Sequence, residues 1–518
     1  MNAPGLSLLM VVGPELMMAG PDAAGLAVTL ATVFRSAEDN RWELVLAGEH
    51  EPPSLAALTP STPHGRVRWV PAPPSADPTA ACAAALEVAL AAAGGEFVGV
   101  LGVGDIVEPG VLPAALDYLR RRPDVDVLYT DEQWPGTGAE GIFTKPGWNP
   151  EYVLGYPYLG RLCLVRRTSL VACGGFGVSP PQAEEWDAHL RVTDQGAVVE
   201  HLPAIGVTRP VAPVRDSVAG VRVVESHFRR CGVEADVEPG ELAGSVRSWR
   251  AIPGRQLVSV IIPTIGTERA VRSEHVRLVT HCVESLLART TYANWELVLV
   301  TSESTPPAAI EEVAAIAGDR LTVAPVAGSF NFSRSVNEGA RVARGELLLF
   351  LNDDIEVIEP RWLERMVGVA QEPSIGVVGA KLLFEDGRVQ HLGVVHNDAW
   401  EPAHAFEFTA DDGAHFGMGL LDLDYLAVTG ACLLTSRDVF EEVGGFTEAL
   451  PLNYNDVDFC FKVLESGHRV VSTPTALLYH FESASRVPHL EPYERAHLRD
   501  QWAAVAYRDP FVNLREVR

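Results

Sequence analysis

Apolar positions fall along the chain in two patterns. Short unbroken runs at Leu6–Val12, Trp42–Ala47, Val67–Val70, Gly95–Leu101 and Val125–Thr130 predict strands. Longer mixed stretches at Ala23–Arg35, Thr79–Gly94 and Gly110–Arg122 predict the helices between them. A run without alternation suits a strand buried on both faces, and strands alternating with helices imply βαβ units and a mostly parallel sheet. Further on, Leu159–Arg166 continues the series and Ala183–Gln195 reads as a helix with acids in its first turn, as the helix dipole favours. Ser217–Cys231 reads as a connecting helix, and the mixed stretch Glu238–Pro253 as a linker.

The series then starts again. A strand opens at Leu257 (LVSVIIPT), followed by a helix over His275–Arg289, a strand at Trp295–Val300 and a helix running to Arg341. An apolar strand at Leu347–Leu351 and a helix at Val457–Ser466 come later. Trp295 in NWELVLVTSE repeats Trp42 in RWELVLAGEH, Glu346 repeats Glu96 after a glycine, and Gly444-Gly445-Phe446 repeats Gly174-Gly175-Phe176, at spacings of 253, 250 and 270 residues. Three collinear matches point to a duplicated domain rather than a short solenoid repeat. The expected organisation is a first domain over 1–215, a linker over 216–254 and a second domain over 255–518.

The two copies differ at one strand end. Leu351 runs into Asn352-Asp353-Asp354, whereas Leu101 runs into Gly102-Val103-Gly104, with Asp105 the acid that remains. Open α/β sheets bind ligands in the crevice beyond the carboxyl ends of their strands, and carboxylates there suit a hard divalent cation. Asn and Asp are also ordinary turn formers. Since the first copy ends the same strand without them, the second copy is expected to be the active one.

Composition narrows the partners. The 518 residues are 47% hydrophobic and 21% charged, which is globular, and carry a net charge of −27 from 41 basic and 68 acidic side chains. That balance argues against nucleic acid held through its phosphates. Seven scattered cysteines show no zinc spacing and read as free thiols in a reducing compartment. Met1–Gly20 lacks a basic n-region and is broken by Pro14 and Glu15, so it is not read as a signal peptide. No run approaches the roughly 20 apolar residues of a spanning helix.

Other clusters in the second copy have two readings each. Asn455-Asp456 is either an N-cap ahead of an apolar helix or a carboxylate aimed at the crevice. His480, after the strand in LLYHFE, is either a structural histidine or a ligand. Asn331, Ser333, Arg334 and Asn337 open a helix, either as cap and solvated face or as contacts to a nucleotide's sugar and phosphates. Val389–Gly419 holds His391, His396, His404 and His415 at no zinc spacing, with Trp400, Phe406, Phe408 and Phe416 either packing the loop or stacking on sugars.

Taken in order, LVSVIIPT, FNFSRSVNEGARVARGE, FLNDDIEVIEP, TGACLL, VGGF, YNDVDFC and YHFESASR resemble a family 2 glycosyltransferase over Leu257–Arg508. The resemblance is to two-domain bacterial enzymes of cell-surface polysaccharide and O-antigen synthesis, rhamnosyl- and galactofuranosyltransferase-like members included. It implies tandem GT-A domains, Rossmann-like with a mostly parallel sheet, the first divergent and non-catalytic; Asp131-Glu132 and KPGWNP fit that divergent half. It implies inverting, metal-dependent transfer of a sugar from a UDP-, dTDP- or GDP-linked donor to a hydroxyl of a glycan or lipid-linked glycan.

The roles implied by resemblance are specific. Asp456 is the catalytic base, Asp354 and His480 the ligands of Mg²⁺ or Mn²⁺, and Asn352 and Asp353 donor contacts. Thr264, Thr301, Asn331, Arg334 and Asn337 complete the donor site, and His391, Trp400 and Asp458 face the acceptor. Thr301 stands where the family carries an Asp for the nucleotide base, which leaves nucleotide identity open. In the first copy Glu185 aligns with Asp456 and Arg209 falls near the place of His480. The expected location is cytoplasmic, with peripheral attachment to the inner face of the plasma membrane. The alternative is a glycan-binding or scaffolding protein in which both halves are inactive. A nucleotidyltransferase would want a Gly-rich basic loop that Pro263-Thr264-Ile265-Gly266 is not.

Overall fold

The computed structural model describes residues 5–13, 21–36, 42–52, 55, 65–75, 78–135, 141–177, 180, 183–213, 216–396, 401–481, 491–506 and 508–511. The chain forms two compact units, one of Met1–Trp148 and Val153–Ser248 and one of Asn149–Tyr152 and Trp249–Glu516. Both are α/β with mostly parallel sheets, the class that the pattern of runs and helices predicts.

In the first unit the strands are β1 (Leu6–Val11), β2 (Trp42–Gly48), β3 (Gly65–Pro71), β4 (Phe97–Leu101), β5 (Ile106–Val107), β6 (Val127–Gln133), β7 (Ile142–Phe143), β8 (Leu164–Arg166) and β9 (Val199–Thr208). Among the described residues they form one sheet in the order β3-β2-β1-β4-β8-β6-β9-β5, with β7 beside β6. The segment that follows holds the Ser217–Cys231 helix and a hairpin of β10 (Ala235–Pro239) and β11 (Val246–Arg250).

The second unit contains β12 (Val258–Thr264), β13 (Glu268–Val271), β14 (Glu274–Arg277), β15 (Trp295–Ser302), β16 (Leu321–Val326), β17 (Leu347–Leu351), β18 (Ile355–Val357) and β19 (Ile375–Leu383). After these come β20 (Val389–His391), β21 (Val394–His396), β22 (Pro402–His404), β23 (Leu423–Tyr425), β24 (Cys432–Ser436) and β25 (Arg469–His480). Its main sheet runs β16-β15-β12-β17-β24-β19-β25-β18, with β20 on β19 and β23 on β25. Strand for strand this is the order of the first sheet.

The repeated sequence matches have a physical cause. In the second unit Ser259 Oγ donates to Glu296 Oε1 at 2.7 Å and accepts from the Gly345 N–H at 2.8 Å. In the first, Ser7 Oγ donates to Glu43 Oε1 at 2.7 Å and accepts from the Gly95 N–H at 2.8 Å. The glycine is required because a Cβ on Gly345 would lie 2.6 Å from the Leu257 carbonyl oxygen, and one on Gly95 would lie 2.5 Å from the Ser7 nitrogen. Buried polar groups persist when paired, so strand, acid and glycine recur together.

Strand β17 positions the site. Leu347, Leu349 and Leu351 enter one core and Leu348 and Phe350 the other, so every side chain is buried. Each such burial contributes about 1.5–3 kcal/mol. β17 runs parallel to β12 and antiparallel to β24, so the crevice opens where the sheet changes sense.

Four expectations need correction. Asp131 and Glu132 lie inside β6, not beyond it, because the strand continues along β9 through register shifts. The expected helix start at His275 is strand: β13 and β14 form a hairpin through Arg272 and Ser273, both at positive φ, and the helix spans Leu278–Arg289. His480 is the last residue of β25, paired with Ile355, rather than just past a strand. The Leu159–Arg166 run contributes only the short β8.

Candidate active site

The carboxyl ends of β12 and β17, the loop before β24 and the start of the Asn455–Glu465 helix enclose a cleft of about 460 Å³. Thr264, Asn352, Asp353, Asp354, Gly430 and Asp456 line it, with Ile265, Leu278, Phe330, Phe332 and Leu452 as apolar wall.

Asp353 and Asp354 are adjacent but differ in surroundings. Thr264 Oγ1 donates to Asp353 Oδ2 at 2.6 Å. Burial and the neighbouring Asp354 carboxylate push the Asp353 carboxyl up to about 7. Burial also opposes ionisation of Asp354, but the adjacent His480 more than offsets it and holds that carboxyl below its usual range. Asp354 Oδ1 lies 3.1 Å from His480 Nε2, yet it is buried without a hydrogen-bond partner.

His480 is oriented from behind. Its Nδ1 is 2.7 Å from Gln390 Oε1, and its Nε2 is 3.1 Å from Asn352 Nδ2. With Nδ1 donating to Gln390 Oε1, a neutral imidazole accepts the Asn352 amide at Nε2, and a charged one turns that N–H toward Asp354 Oδ1, 3.1 Å away. An imidazole nitrogen and a carboxylate oxygen converging in this way, one fixed by an outer partner, fit a divalent cation bound between them.

Asp456 lies across the same cleft. The helix begins at Asn455 after Tyr454 at φ 58°, and no side chain caps it. Asp456 Oδ2 accepts the Gly430 N–H at 2.8 Å and Oδ1 accepts the Val457 N–H at 2.8 Å. The Thr429–Ala431 loop that supplies this donor also accepts the Asn352 N–H at the Ala431 carbonyl, 3.0 Å. Gly430 and Gln390 act through a backbone amide and from behind a histidine, which no spacing announces.

The remaining expected site residues are placed differently. Asn331 caps the Phe332–Val342 helix through the Arg334 N–H at 2.9 Å, and the Arg334 guanidinium bonds the Ser329 carbonyl. The Asn337 amide is spent on both backbone groups of Phe446, each at 2.9 Å. Thr301 sits beside Thr264 in the β12–β15 ladder, outside the residues that line the cleft. His391 is buried behind the cleft, with Nδ1 2.7 Å from His404 Nδ1, and burial followed by the neighbouring His404 pushes it well below the usual histidine range. Asp458 is buried and accepts from Thr447, His497 and Trp502, so it too stays out of the cleft. Trp400 lies outside the described residues. Among the described residues no helix is long and apolar enough to cross a membrane.

Comparison with known proteins gives the site a context. Residues 253–503 match the family described as glycosyltransferase like family 2. The chain is 32% identical over 523 residues to an uncharacterized protein of Sinorhizobium fredii, covering 95% of this chain and 56% of that protein. It is 33% identical over 449 residues to the O-antigen biosynthesis protein RfbC of Myxococcus xanthus, covering 82% of this chain and 34% of RfbC. The chain thus spans about half and a third of these two relatives. Among solved structures, a mannosyltransferase of Pyrobaculum calidifontis in complex with GDP-Man and Mn²⁺ is similar at 18% identity and a TM-score of 0.35, over 54% of this chain and 72% of that one. The second half of the chain is a domain of glycosyltransferase-like family 2.

Proposed function

We propose that the second unit transfers a sugar from a nucleotide-sugar donor to a hydroxyl of a cell-surface glycan by single displacement with inversion. The observation that carries this is the pairing of the orphaned Asp354 Oδ1 and His480 Nε2, 3.1 Å apart, with Asp456 in the same cleft. Asp354 and His480 would hold Mg²⁺ or Mn²⁺, which supplies neutralisation of the leaving diphosphate when bound. Asp353, steadied by the Thr264 hydroxyl, offers a carboxylate oxygen to the hydroxyls of the donor nucleotide. Asp456 takes the proton of the acceptor hydroxyl as that oxygen attacks the anomeric carbon, its carboxylate steered by the Gly430 N–H. With Asp354 given to the metal and Asp353 to the donor, Asp456 acts as a base with no carboxylate nucleophile beside it among the described residues, which gives inversion.

The glycan target draws on the relative named for O-antigen biosynthesis. A lipid-linked acceptor would bring the protein to the inner face of the membrane without a span. The first unit, lacking carboxylates at Gly102-Val103-Gly104, is the non-catalytic partner. The test is a panel of UDP-, dTDP- and GDP-sugars with Mg²⁺ or Mn²⁺, scored by nucleotide release and by the anomeric configuration of the product. Release that depends on metal and falls by more than about 100-fold in Asp354→Asn and Asp456→Asn is expected. Unchanged release in both variants would remove the assignment.

A further inference from the structure

The strand ladders give a residue-by-residue correspondence between the two clefts. Phe97 pairs with Arg166 as Leu347 pairs with Ser436, so Arg161, five residues before Arg166, stands at the place of Ala431. Ile106 pairs with Thr208 as Glu356 pairs with Tyr479, so Arg209, the next residue, stands at the place of His480. Glu185 and Asp456 are each the second residue of their helix. Where the second unit has a small residue and a histidine beside its acids, the first has two guanidinium groups.

Both reach the first unit's own cleft, a cavity of about 430 Å³ that Glu185 also lines. Arg161 forms an ion pair with Glu185, and its Nε lies 3.6 Å from Asp105 Oδ2. That Nε is buried without a hydrogen-bond partner. The Arg161 backbone N–H donates to Glu132 Oε2 at 3.1 Å, and Arg209 Nη1 is 3.8 Å from the same oxygen. The side chains of Arg161, Arg209 and Glu185 remain 22%, 18% and 29% exposed, so donors and acceptors both open into the cavity.

The charge pattern selects the ligand. A divalent cation would enter against two guanidinium groups. A diphosphate would meet the lining carboxylates Glu184, Glu185 and Asp216 with no metal to answer them. A sugar hydroxyl donates and accepts at once, which suits an arginine fork beside a carboxylate. The volume lies within the range of small-ligand clefts.

We infer that the first unit's cleft is a metal-independent binding site for an uncharged sugar residue, with Arg161 and Arg209 as fixed cations in place of a metal ion. The inference rests on the reading that the chain handles glycans and gives the first unit a binding role of its own.

The test is saturation-transfer-difference NMR on the full chain in EDTA, with the methyl glycosides of glucose, galactose, mannose and rhamnose as probes. At least one glycoside should give a signal that Asp354→Asn leaves in place. That signal should weaken about tenfold in Arg161→Met, as expected for loss of a charged hydrogen bond. Because Arg161→Met strands two carboxylates, Asp105 and Glu185, Arg161→Lys is run beside it: the charge stays, the planar fork goes, and the signal should fall with the melting temperature held. No signal from any glycoside, a signal indifferent to both Arg161 variants, or Arg161-dependent binding of UDP or GDP in EDTA would each overturn the inference. Nucleotide release with Mn²⁺ is measured separately, so loss of this site and loss of the second unit's proposed activity are told apart.

Discussion

His391 Nε2 accepts the backbone N–H of Thr429 at 3.2 Å, and the next amide in the chain, Gly430, donates to Asp456 Oδ2. A buried neutral imidazole therefore fixes the loop that aims the proposed base. Its second nitrogen is engaged by His404 at 2.7 Å.

His391→Phe should lower kcat about tenfold and leave the donor KM within about twofold, because the lost bond positions Asp456 rather than touching the donor. Steady-state kinetics with one donor at saturating acceptor checks the split. An equal rise in KM would place His391 in the donor site instead.

Gln390 offers the corresponding test behind His480. Gln390→Leu removes the acceptor for the Nδ1 proton, so the imidazole loses the orientation that presents Nε2 to Asp354. Losing such an outer partner typically costs 10–100-fold in metal affinity. The half-saturating Mn²⁺ concentration for nucleotide release should rise by about that factor, with kcat recovered at high Mn²⁺.

Asp458 predicts a pH dependence of stability. Burial raises its carboxyl, but bonds from Thr447, Trp502 and His497 and the nearby Lys462 more than compensate, leaving it below its usual range. A carboxyl depressed in the folded state contributes stability above its unfolded value of about 4, and the contribution is lost as pH falls through the folded value. Asp458→Asn should cost about 2–3 kcal/mol at pH 7. The gap between variant and parent urea midpoints should narrow below about pH 4.

Much of this fold is legible in the sequence because its strands are unbroken apolar runs with glycine or acid punctuation: Leu347–Leu351 is strand at the expected residues, and Ser217–Cys231 is helix at the expected residues. The β13–β14 hairpin was not legible, since Arg272 and Ser273 take positive φ where glycine or asparagine is the usual signal. The cluster of Thr264, Asn352, Asp353, Asp354, Asp456 and His480 was legible because the first copy ends the same strand at Gly102-Val103-Gly104 without acids and because the order of motifs resembles a known family. The polar face of FNFSRSVNEG was not separable by eye: Asn331 and Asn337 are the same residue types whether they cap, clamp or bind a ligand, and only their partners distinguish these uses.

Asn337 turns that ambiguity into a measurement. Its amide accepts from the Phe446 N–H and donates to the Phe446 carbonyl, holding the Gly444-Gly445-Phe446 turn, in which Gly445 has φ 65°. In the first unit Glu87, at the equivalent helix position, accepts the Phe176 N–H at 2.8 Å beside Gly175 at φ 61°. Two different side chains serve one turn in two copies, one of which lacks the proposed metal ligands, so the shared task is structural. Asn337→Ala leaves a backbone N–H and a carbonyl without their partner and should destabilise by about 2–4 kcal/mol. The donor KM of the folded variant should stay within about twofold of the parent, whereas Thr264→Val, which removes the bond to Asp353, should raise it about fivefold or more. Chemical denaturation and steady-state kinetics on the two variants decide it: a large KM effect in Asn337→Ala would return this residue to the donor site.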